Sequence, residues 1–68
     1  MYIIKLDLKD MGITYFTGKK KIIQGEEQPG LTANIEEACV LRTEEEASDL
    51  CRKLIDLFDM DFYYSNID

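Results

Sequence analysis

The sequence predicts an α+β fold, a small and mostly antiparallel sheet of about four or five short strands packed on one amphipathic helix. Three observations carry this. Residues 43–58 repeat apolar side chains at helical spacing, residues 2–9 alternate apolar with polar ones, and residues 62–67 end the chain on an aromatic, strand-like run. The expected order is strand, strand, short strand, helical turn, short strand, helix, strand, within a single domain spanning 1–68.

Tyr2, Ile4, Leu6 and Leu8 alternate with Ile3, Lys5, Asp7 and Lys9, the period of a strand with one buried face. Asp10-Met11-Gly12 supplies a turn, and Ile13–Thr17, rich in β-branched and aromatic residues, returns antiparallel to it. Gly18-Lys19-Lys20 reads as a second turn and Lys21–Gln24 as a short third strand, its lysines keeping an edge soluble. Gly25-Glu26-Glu27-Gln28-Pro29-Gly30 is a loop by composition and holds the only proline. Asn34 with Glu37 has the spacing of a capping box and opens one helical turn, Ile35 to Ala38. Cys39-Val40-Leu41 fits a small strand.

The main helix begins at Thr43, which forms a second capping box with Glu46. Ala47, Leu50, Cys51, Leu54, Ile55, Leu57 and Phe58 then fill an apolar arc of roughly 160°. Leu50, Leu54, Leu57 and Phe58 are expected to be buried against Ile4, Leu6 and the second strand. Glu45, Ser48, Asp49, Arg52, Lys53 and Asp56 take the opposite face, with Asp49 and Lys53 at the spacing of a favourable pair. Asp59-Met60-Asp61 ends the helix, and Phe62-Tyr63-Tyr64-Ser65-Asn66-Ile67 forms the last strand.

Composition excludes several functions. The chain is 46% hydrophobic and 32% charged, ordinary for a folded domain. It has no apolar run near the roughly 20 residues of a membrane span and no signal-peptide pattern, so a cytoplasmic location and no membrane partner are expected. There is no histidine to move protons near neutral pH, no nucleophile motif around Ser48 or Ser65, and no phosphate-cradling glycine loop. Two cysteines, Cys39 and Cys51, fall in apolar stretches and read as buried free thiols. They do not make a zinc site, and Asp56, Asp59 and Asp61 lack the spacing of a calcium loop. The expectation is a protein that is not an enzyme and carries no catalytic residue, cofactor or metal.

The net charge of −6 is uneven. Residues 1–24 hold five lysines against two aspartates, a balance of +3, whereas residues 25–68 hold twelve acids against three bases, a balance of −9. Glu44, Glu45 and Glu46 are accounted for by the helix dipole at its start. Glu26, Glu27, Glu36 and Glu37, taken with that start, suggest a continuous negative surface that mimics the phosphate line of a nucleic acid and fits a host protein with a basic surface. Lys19, Lys20 and Lys21 beside Tyr15 and Phe16 suggest a small basic and aromatic patch for single-stranded nucleic acid, which the overall acidity opposes. Tyr63, expected to face outward with Ile67, marks the last strand as a docking edge or a homodimer contact.

The pattern Tyr2-x-Ile4-Lys5, Tyr15-x-Thr17-Gly18-Lys19, Thr32-x-x-x-x-x-Ala38, Thr43-x-Glu45-Glu46-Ala47 resembles one common among small phage and prophage proteins of similar length, mostly of unknown function. It spans most of the chain and consists of strand residues, a turn and a helix cap. Glu26, Glu27 and the aromatic C-terminus fall outside it, and it carries over no site residue. The resemblance implies a phage or prophage accessory protein acting in the host cytoplasm. Combined with acidity and missing catalytic groups, it leads to an expected inhibitor of a host defence or nucleic-acid enzyme, of the anti-CRISPR kind. The alternatives are a dimerising structural or regulatory module and, third, a small nucleic-acid-binding protein.

Overall fold

The computed structural model describes all residues, 1–68. Strands β1 (Tyr2–Leu8), β2 (Gly12–Ile23) and β3 (Glu26–Thr32) are followed by a 3-10 turn (Ile35–Glu37), helix α1 (Glu44–Phe58) and strand β4 (Tyr63–Asn66). The strands form one open antiparallel sheet in the order β3-β2-β1-β4. One helix packs on one face of it, which makes the fold α+β.

Alternation along the strands turns Ile4, Leu6 and Phe16 toward the helix, where they meet Ala47, Cys51, Leu54 and Phe62 in the core. Thr14 shares that face and is fully buried; its hydroxyl donates to the Leu6 carbonyl at 2.7 Å, so burial leaves no unpaired polar group there. Helix α1 starts as expected, with the Thr43 hydroxyl accepting from the Glu46 N–H at 3.1 Å. Asp59 closes it in the left-handed conformation at φ 54°, donating its N–H to the Ile55 carbonyl at 2.8 Å.

The helix packs against β1 and β4. That placement corrects the expected core: Leu54 is buried and Leu50 and Phe58 are half-buried, but Leu57 is 51% exposed. The apolar arc is wider than the two strands beneath it, so its flank toward β2 stays uncovered.

The larger correction lies in residues 18–32. The expected turn at Gly18-Lys19-Lys20 is a bulge inside one continuous strand, and the expected loop through Pro29 is β3 itself. Phe16 pairs with Leu31 and Lys20 with Pro29, so Thr17, Gly18 and Lys19 stand opposite Gly30 alone. Gly18 takes φ 88°, which lets β2 bend without leaving the sheet. Gly30 must be glycine for space: a Cβ there would lie 2.5 Å from the Thr17 hydroxyl and 2.7 Å from the Lys19 carbonyl oxygen. Proline is tolerated at position 29 because β3 is an edge strand. The hairpin turns through Gln24 and Gly25, both at positive φ (52° and 83°), as two-residue hairpin turns require.

Beyond the bulge the hairpin leaves the body. Every residue from Gly18 to Glu27 is exposed, so this part of β2 and β3 is a two-stranded arm with no helix on either face. At about 3.3 Å per residue, the twelve residues of β2 match the longest dimension of the molecule, 37 Å. Residues 39–41 form no strand of their own. The Cys39 N–H donates to the Phe16 carbonyl at 2.8 Å, and Leu41 exchanges two 2.8 Å backbone bonds with Tyr2, filling the space where β2 diverges from β1.

Candidate functional site

The acids singled out in the sequence are placed in three regions by the pairing of the strands. Glu26 and Glu27 sit at the end of the arm, directly opposite Ile23 and Ile22. Glu36 and Glu37 lie on the 3-10 turn. Glu37 lines a cleft of about 430 Å³ at the base of the arm together with Lys19, Lys20 and Lys21, so carboxylate and ammonium groups share that cleft. Its carboxylate accepts from the Thr32 hydroxyl at 2.8 Å rather than closing the expected capping box, while Asn34 caps the turn through the Glu36 N–H at 3.0 Å. Glu44 at the helix start accepts from the Tyr64 hydroxyl at 3.3 Å, next to β4 at the opposite edge of the sheet from β3.

Tyr63 lies on the sheet face away from the helix and is 38% exposed, as its place in the alternation requires. Lys5 is paired with Tyr63 on one side and Tyr15 on the other, so a tyrosine–lysine–tyrosine row crosses three strands. The Tyr63 hydroxyl donates to Asp7 at 2.8 Å, and this bond to a carboxylate holds its pKa above the ordinary tyrosine value. The Tyr64 pKa is raised chiefly by the negative charge of Glu44. Strand β4 is an edge, so its outer backbone groups have no strand partner within the chain.

The basic and aromatic patch is half lost. Phe16 is buried in the core, leaving Tyr15 as the one ring near the lysines that can be reached. The cysteines are free, and burial pushes the Cys51 thiol pKa up. Cys39, expected to be buried, is half-exposed because it faces an open groove.

That groove was not foreseen. It has a volume of about 320 Å³ and runs between the second half of α1 and the base of the arm. Phe16, Cys39, Leu50, Leu54 and Leu57 make it apolar, and Lys20 and Lys53 stand on its rim. The only ion pair in the chain joins the Met1 amino group to Asp68, so both rim lysines are free of ionic partners, including Asp49. The available signal was the width of the helix's apolar arc, which exceeds what one small sheet covers. Three or more acidic or sulfur ligands nowhere converge as a metal site would need. No helix is long and apolar enough to cross a membrane.

Fold and surface together define a small α+β domain with an exposed hairpin arm, an uncovered apolar groove and a tyrosine-bearing sheet edge. Comparison with protein-family models, with characterised proteins and with solved structures finds no match for the chain.

Proposed function

We propose that the protein works by binding another protein, and that it is a phage or prophage accessory protein which inhibits a host defence or nucleic-acid enzyme. The observation that carries this reading is the arm, which projects two carboxylates, Glu26 and Glu27, at its end. A narrow ribbon with an acidic tip fits a groove built for a phosphate backbone, where lysines and arginines are spaced for anions. Steering by the net charge of −6 speeds the encounter, and Ile22 and Ile23 beside the acids supply apolar contact once seated. The resemblance of the sequence pattern to one found among small phage and prophage proteins supports the setting. Glu36, and Glu37 in the mixed cleft, extend the negative charge toward the body.

The test is capture of the partner from host lysate, followed by affinity and association rate across a salt series. Glu26→Lys with Glu27→Lys is expected to slow association and flatten the salt dependence while leaving the fold intact, since both side chains are exposed. Glu36→Lys extends the test without touching a hydrogen-bonded side chain, whereas Glu37→Lys also removes the bond from Thr32. An unchanged salt slope in the arm variant overturns the mimicry.

The second reading, a dimerising module, is favoured by β4: a short edge strand with Tyr63 exposed on one face and Ile67 just beyond it, 42% exposed. Antiparallel pairing of two such edges would extend the sheet across two copies.

A further inference from the structure

The chain carries two halves of one complementary contact. One half is the groove, apolar within and rimmed by Lys20 and Lys53. The other is the end of the arm, where Ile22 is 75% exposed, the most exposed large apolar side chain in the molecule. Glu27 is its direct cross-strand partner and therefore shares its face. An apolar side chain beside a carboxylate matches an apolar groove beside two unpaired ammonium groups.

We propose that the occupant of the groove is a second copy of this chain, which inserts Ile22 against Phe16, Leu54 and Leu57 and sets Glu27 beside Lys20 and Lys53. The geometry permits the exchange to be reciprocal. Lys20 lies on the groove's rim, and Ile22, two residues on, points to the same face of the arm. Two arms laid antiparallel, face to face, bring each Ile22 over the other copy's groove under one twofold axis. The contact cannot form within one chain, because the arm carries its own tip away from its own base. It covers Leu57 and Ile22 together, the exposed apolar positions on either side of the bend. It also differs from pairing along β4, at the far edge of the sheet. This proposal does not rest on the inhibitory function, since self-association is a property of the purified chain. Where both hold, a host target competes with the second copy for the same tip.

Sedimentation velocity across a concentration series reads the contact. The wild-type chain is expected to pass from monomer to dimer as concentration rises, with tighter association at low salt. Ile22→Lys is expected to raise the dimer dissociation constant at least about tenfold, with an unchanged circular dichroism spectrum because the side chain is exposed. Glu27→Lys and Lys53→Glu should each weaken the dimer, and the double variant should recover it, which a merely destabilising pair would not do. A chain that stays monomeric up to millimolar concentration overturns the proposal. So does a dimer indifferent to Ile22→Lys, and a dimer lost on Asn66→Pro, which removes an N–H on the outer side of β4, but kept in the arm variants assigns the contact to β4 instead.

Discussion

Tyr63 and Tyr64 are adjacent in the chain yet point to opposite faces, and each hydroxyl reaches a carboxylate: Asp7 across the open face and Glu44 at the helix start. Both phenols are held above their ordinary pKa in the folded protein. The folded state then keeps these protons more tightly than the unfolded chain does. Their contribution to stability is complete below the ordinary tyrosine pKa of about 10 and is lost as pH rises through the raised values. Urea midpoints measured from pH 8 to pH 11 should therefore fall at the alkaline end. Tyr63→Phe with Tyr64→Phe should remove the part of that fall not shared with other groups. An identical alkaline slope in the double variant would show that neither hydroxyl is linked to folding.

At the scale of elements, the helix shows how burial depends on what lies beneath it. Leu54 and Leu57 are both leucines on one apolar arc, but Leu54 is 3% exposed and Leu57 is 51% exposed. Leu54→Ala should cost about 2–5 kcal/mol, because it opens a cavity between α1 and the sheet. That is a large share of the roughly 3–10 kcal/mol expected for a domain of this length. Leu57→Ala should cost less than about 1 kcal/mol, as little apolar area leaves water at that site. Denaturant titration of the two variants checks the contrast, and equal costs would mean that the groove is closed in solution. The first part of the helix was legible in the sequence, since capping and dipole effects act within a few residues. The fate of Leu57 was not, because it depends on which strands the helix crosses.

The whole molecule divides into a packed body and an arm. The body holds every buried hydrophobic side chain, whereas the arm is held by ladder bonds, the Gln24–Gly25 turn and its buried base at Pro29 and Gly30. A two-stranded ribbon is marginal by itself, so the arm should open locally without unfolding the rest. Amide hydrogen exchange of the monomer should show little protection from Lys20 to Glu27 and strong protection at Ile4, Leu6 and Leu54. Uniform protection in the two regions would contradict this division. Charge is ordered along the arm: the lysines of β2 lie toward its base, opposite Pro29 and Gln28, and the glutamates of β3 stand at its end, opposite Ile22 and Ile23.

The sequence by itself determined the first strand, the cap at Thr43, the length of the helix and the aromatic final strand. Each is set by spacing or by hydrogen bonds within a few residues. The tertiary structure decided what Gly18 and Pro29 mean. Read locally, a glycine followed by lysines is a turn, and a proline between glutamates and glycine is a loop. In the folded chain Gly18 absorbs a bulge and Pro29 sits on an edge, so the two segments pair into one long hairpin. That pairing sends Glu26 and Glu27 to the end of an arm and leaves Glu37 among lysines. It also leaves a groove beside the helix that no local pattern contains, because a groove is the space between elements distant in sequence.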